Sequence, residues 1–84
     1  MLEAEIYITL KKVVSDPQGL TIKHALESMG YQKVIKDLRI GKLISIKLEV
    51  NDKNKAEKLV NEMCKKLLAN PIIEDYKFRL KEIK

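Results

Sequence analysis

From Glu3 to Lys11 the chain alternates, with Ala4, Ile6, Ile8 and Leu10 on one side and Glu3, Glu5, Tyr7, Thr9 and Lys11 on the other. Strand side chains point to opposite faces with period two, so this stretch predicts a strand resting one face on a core. Asp16-Pro17 and Gly19 then mark a turn, because proline restricts the residue before it to extended conformations. From about Thr21 to Met29 the spacing becomes i, i+3, i+4, i+7 at Ile22, Ala25, Leu26 and Met29, which predicts a helix capped by Thr21. Gly30 stands where a helix end takes a left-handed residue, and Tyr31 is placed to pack back on the last turn.

Between Val34 and Val50 the apolar positions Val34, Leu38, Ile40, Ile44, Ile46, Leu48 and Val50 share even numbering. This predicts two strands joined by a loop of Gly41, Lys42 and Leu43, with Ile40 opposite Ile44, Leu38 opposite Ile46 and Val34 opposite Val50. A shorter loop would set Leu38 against Ser45 and mix the two faces. Gly41 is free to take a positive φ in that loop. Asn51 and Asp52 can cap a longer helix to about Ala69, with Ala56, Leu59, Val60, Met63 and Leu67 as its stripe, ended by Asn70-Pro71. Ile72 to Ile83 alternates again, with Tyr76, Phe78 and Leu80 on one side.

Strand, helix, strand, strand, helix, strand with right-handed crossovers predicts an α+β fold of the ferredoxin-like kind: a four-stranded antiparallel sheet with both helices on one face. The uncovered face then presents Tyr7, Thr9, Asp37, Arg39, Ser45, Lys47, Lys77 and Arg79.

Length limits this plan to one domain over residues 1–84. So small a chain has a small core, and with one sheet face open it is expected to form a homo-oligomer, most simply a dimer. No apolar run reaches the ~20 residues of a membrane span. The acidic start Glu3-Ala4-Glu5 is unlike a signal peptide, so the cytoplasm is the expected location. The net charge of +5 raises nucleic acid as a partner. Yet Lys53, Lys55, Lys58, Lys65 and Lys66 are spread with Glu57 and Glu62 along one helix, and Leu43 to Val50 has no aromatic on which a base could stack, so none is expected.

Catalysis needs an activated nucleophile, a carboxylate pair or a metal cluster, and none occurs at a recognisable spacing. Cys64 is the single cysteine and His24 the single histidine, far apart, so no metal site is expected and Cys64 is read as a structural thiol. The isolated glycines make no phosphate loop. No catalytic, cofactor-binding or metal residue is therefore expected.

Two polar clusters remain outside the core plan, Asp16-Pro17-Gln18-Gly19 and Arg39-Ile40-Gly41-Lys42, and ordinary turn chemistry accounts for them equally well. Together with Gly30-Tyr31, Glu62-Met63-Cys64, the run Lys66 to Pro71, and Ile73-Glu74-Asp75-Tyr76, they resemble the PurS family over nearly the whole chain. PurS proteins are the small subunits of phosphoribosylformylglycinamidine synthase. The resemblance implies a subunit without an active site of its own, joining a PurL-like synthetase to a PurQ-like glutaminase and aiding ammonia transfer. It implies that ATP, magnesium and glutamine are used by the complex, with no cofactor on this chain. Asp16, Gln18, Gly19, Arg39, Gly41 and Lys42 are the candidate partner-interface residues, Arg39 from the polar side of a strand and Lys42 from a loop tip. A stand-alone ferredoxin-like binding module, for RNA or for regulation, is the other reading.

Overall fold

The computed structural model describes residues 1–83. Three strands, β1 (Leu2–Leu10), β2 (Gly41–Leu48) and β3 (Glu74–Glu82), form one antiparallel sheet in the order β2-β1-β3. The helices are α1 (Pro17–Leu26) and α2 (Lys53–Met63), each continued by one wider turn, Glu27–Tyr31 and Cys64–Leu68. The expected four-stranded sheet is thus corrected to three, because residues 34–40 form no strand.

β2 runs straight through the expected loop. Gly41 pairs with Thr9, Lys42 with Ile8, Ile44 with Ile6, Ile46 with Ala4 and Leu48 with Leu2. The even-numbered residues do share a face, but β1 sets their register and not a hairpin with Leu38 opposite Ile46. The alternation that suggested a strand before Gly41 is short, since Ile35 and Lys36 interrupt it and Val34 is 77% exposed. The amide of Ile40 is bound to a carboxylate, and that of Leu38 to the Asp37 side chain, so neither enters a ladder. Gly41 likewise has no positive φ; that conformation occurs at Gly30, with φ 102°, where the chain turns back after α1.

The core lies between α2 and one sheet face. Leu2, Ala4, Ile6 and Ile8 of β1 are fully buried with Ala56, Val60 and Cys64, and Tyr76, Phe78 and Leu80 of β3 pack around them. Burial pushes the Cys64 thiol above its usual pKa. Asp52 begins α2, its side chain accepting from the Asn54 amide at 2.9 Å, as a cap should. Beyond Met63 the wider turn, closed by the Ala69 amide donating to the Cys64 carbonyl at 3.0 Å, rotates the apolar stripe. Leu68 therefore faces the core, whereas Leu67, expected there, is 83% exposed.

Among the described residues α2 lies over β1 and β3, whereas α1 makes no comparable contact with a strand, so of the expected pair of helices on one face only α2 forms the layer. With the return segment 32–40, α1 forms an arm projecting from the sheet. The molecule measures 48 × 30 × 14 Å, and its radius of gyration is 16.4 Å, against about 12 Å for a compact domain of this length.

The opposite sheet face is charged. Across β1 and β3, Glu5 binds Arg79 at 2.9 Å and Glu3 binds Lys81 at 3.1 Å. The Arg79 hydrogen bond is the main reason the Glu5 carboxyl is held below its ordinary pKa. Tyr7, Thr9, Ser45, Lys47 and Lys77 share this face by register, whereas Asp37 and Arg39 lie outside the sheet.

With so few buried side chains, one truncation in the centre is costly. Ile6→Ala, at the middle of β1 and 0% exposed, is expected to lose about 2–5 kcal/mol in urea unfolding. A loss below about 1 kcal/mol would contradict this account of the core.

Candidate functional site

The six candidate interface residues come together at the root of the arm, where β1 leads into α1 and the return segment enters β2. Asp16 caps α1: its Oδ1 accepts from the Gly19 amide at 3.0 Å, and its Oδ2 accepts from the Ile40 amide at 2.8 Å. Pro17 follows at the first helical position, where its missing N–H costs nothing. Thr21, expected as the cap, lies inside the helix and donates to the Pro17 carbonyl. Gly19 is required by proximity, since a Cβ there would collide with the Asp16 carboxylate and come within 3.0 Å of the Leu38 carbonyl.

Asp16 is only 7% exposed, and its carboxyl is held below the ordinary value near 3.8, first by the Ile40 amide and then by Gly19. One carboxylate thus ties the outgoing leg of the arm to the returning one. Arg39 makes a second tie, donating through Nη2 to the Lys11 carbonyl at 3.0 Å and the Val14 carbonyl at 2.8 Å. Expected on a strand and independent of the fold, Arg39 is instead part of what closes this loop. A third, longer contact joins Lys23 Nζ to the Lys36 carbonyl at 3.4 Å.

Lys42 lies within β2, not at a loop tip. It is opposite Ile8 on the helix-bearing face, with Nζ 3.6 Å from Glu74 and its side chain 67% exposed. With Gln18, Gly41, Asp16, Ile40 and Glu74 it lines a shallow pocket of about 200 Å³ over Ile8 and Leu10. Lys42 and Gln18 are therefore the candidates whose polar groups are open to a partner, while Asp16 and Arg39 serve the arm. Glu74 was not among the expected site residues. Its nearness to Lys42 follows from both strands pairing with β1, a relation that local periodicity does not carry.

No group of three metal-ligating side chains comes together among the described residues. Nor is any helix among them long and apolar enough to cross a membrane.

A family model described as PurS, phosphoribosylformylglycinamidine (FGAM) synthase, matches residues 3–82. The Bacillus subtilis synthase subunit PurS is 46% identical over 83 residues, 99% of this chain and 96% of that one. The crystal structure of Methanocaldococcus jannaschii PurS, one of the subunits of formylglycinamide ribonucleotide amidotransferase in the purine biosynthetic pathway, superposes with a TM-score of 0.88 at 43% identity, covering 100% of both chains. A chain of the Thermotoga maritima PurLQS structure superposes at 0.84 with 35% identity, covering 96% of this chain and 99% of that one.

The double use of Asp16 sets a test at its root. Asn can accept from one of the two amides but must turn its own NH2 toward the other. Asp16→Asn is expected to lower Tm at pH 7 by about 5–10 °C. Because the folded carboxyl titrates below its unfolded value, its contribution is complete above about pH 5 and disappears as pH falls through the folded pKa. The Tm gap between variant and parent should accordingly narrow when melting is repeated towards about pH 2. A gap independent of pH would show that the charge is not what matters.

Proposed function

This chain belongs to the PurS family of phosphoribosylformylglycinamidine synthase, and from that premise we propose that it joins a PurL-like synthetase to a PurQ-like glutaminase and aids the passage of ammonia between them. As a PurS subunit it is a non-catalytic component of a ligase of purine biosynthesis. In the proposed assembly the glutaminase releases ammonia from glutamine, and the synthetase, using ATP and magnesium, replaces the amide oxygen of formylglycinamide ribonucleotide by nitrogen. Formylglycinamidine ribonucleotide, ADP, phosphate and glutamate leave. Work in the cytoplasm, alongside soluble substrates, is part of the same reading.

The observation that carries the proposal is the match along nearly the entire chain to the small component of an assembled synthase. The arm root is the surface proposed to meet the larger partners, with Lys42 and Gln18 as its open polar groups. Among the described residues Lys42 has a long contact to Glu74 to leave, and at 3.6 Å with the ammonium exposed it adds little to stability. The chain is further proposed to act as a homodimer. α1 and the wider turn after it present Ile22, Ala25 and Met29 to solvent, with Met29 70% exposed, and a second copy gives such a stripe a cover.

Lys42→Ala and Gln18→Ala are expected to melt within a few degrees of the parent, yet to support weaker glutamine-dependent synthesis at limiting subunit concentration. Loss of one interfacial charge partner costs roughly 2–5 kcal/mol of association. Full activity from both variants in a titration against fixed synthetase and glutaminase would remove the arm root from the interface. Sedimentation of the parent should give about twice the 9.7 kDa chain mass at micromolar concentration, and a 9.7 kDa species alone would refute the homodimer.

A further inference from the structure

Between the turn that follows β1 and the returning leg of the arm lies a groove of about 290 Å³, and Lys12, Lys23 and Arg39 line it together with Ser15. Among the described residues none of these three cations is in an ion pair, whereas Arg79 and Lys81 on the sheet are. Arg39 serves the arm through one nitrogen alone, since Nη2 makes both bonds, to the Lys11 and Val14 carbonyls, and Nε and Nη1 have no protein acceptor among the described residues. Its guanidinium is therefore already held in place. Lys23 has the long contact to the Lys36 carbonyl at 3.4 Å to give up, and Lys12 is exposed. Two carboxylates share the groove and differ in what they have left: both oxygens of Asp16 are taken by the Gly19 and Ile40 amides, while Asp37 accepts from the Leu38 amide through Oδ1 and keeps Oδ2.

We propose that this groove binds the phosphate group of a small molecule, with Arg39 as the fixed donor and Lys12 and Lys23 supplying the remaining positive charge. A guanidinium oriented by the fold offers its free N–H groups to an oxyanion with little further loss of side-chain freedom, and such charge-assisted bonds are the strong ones. A carboxylate would be matched by Arg39 alone. A phosphate monoester carries about −1.5 to −2 charge at neutral pH and makes use of both ammonium groups as well. The volume falls at the small end of ligand pockets, about 300–1,000 Å³, which admits a phosphate with a short organic remainder. This goes beyond the subunit role proposed above and does not depend on it. Asp16 lines this groove and the Lys42 pocket alike, so the ligand sits beside the surface proposed to meet the larger partners.

The test follows the amide NMR spectrum of the full chain at neutral pH and constant ionic strength while sodium phosphate, glycerol phosphate and sodium acetate are added in separate titrations. Saturable shifts at Lys12, Ser15 and Arg39 are expected with phosphate or its ester at millimolar concentration, and not with acetate. Saturation by the ester alone identifies an organic phosphate, and saturation by both shows that the free ion suffices. Lys12→Ala should melt like the parent and bind roughly tenfold more weakly. Asp37→Asn, whose side-chain oxygen still accepts from the Leu38 amide, should bind more tightly, a sign that mere loosening of the returning leg would not give. Acetate saturating as readily as phosphate would overturn the assignment to phosphate. Absence of saturation, shifts confined to the lysines of α2, parent affinity in Lys12→Ala, or no tightening in Asp37→Asn would overturn the site itself.

Discussion

Two amides on opposite legs of the arm, Gly19 and Ile40, share one carboxylate. Such an arrangement does with one side chain what a compact domain does with a hydrophobic layer. α1 has no sheet beneath it to fix its direction, so its orientation comes from polar contacts at its base. Each end of that contact is backbone, which makes the geometry insensitive to the side chains farther along the arm. It also explains the neighbours of Asp16: proline because the first helical N–H is unneeded, and glycine because nothing larger fits beside the carboxylate. The Asp16-Pro17-Gln18-Gly19 cluster caps a helix, and a consequence is the placement of a surface some distance away.

The rest of the fold depends on β1. Both other strands pair with it, and four of its nine residues are fully buried. Its opposite face carries Glu3 and Glu5 towards the basic residues of β3, so the same strand supplies apolar contact on one side and charge order on the other. α2 and the wider turn after it bring Ala56, Val60 and Cys64 into full burial to close this core. The economy is workable because the small residues Ala4 and Ala56 allow helix and sheet to approach closely.

Where local pattern and burial coincide, the sequence was legible: the faces of β1 and β3, the left-handed Gly30 and the Asp52 cap all follow from spacing and turn chemistry, whereas the stripe read for the second helix passed over Cys64, which is buried. The family too was legible, through motifs spread along nearly the whole chain. The missing strand was not, because Val34, Leu38 and Ile40 have the right parity for reasons unrelated to pairing. A shared parity between Leu38 and Ile46 says nothing about whether Leu38 has a strand to join. Leu67 failed for a smaller reason, a single wide turn that moves the stripe by one residue. At the site, the bonds by which Asp16 and Arg39 cross between the two legs of the arm were not legible, since they reach 24 to 28 residues along the chain.

The pairing of Leu2 with Glu82 also bears on how the molecule is made. Strand β1 is made before β2 and β3, and β3 is the later of its two neighbours. Until then Ile6 and Ile8 have neither β3 nor the packing it brings. Contacts so remote in sequence pay the entropy of closing nearly the whole chain before they return anything, which slows the search. The sheet is therefore completed only once β3 has been made, and the apolar side of β1 spends that interval in need of protection from other nascent chains.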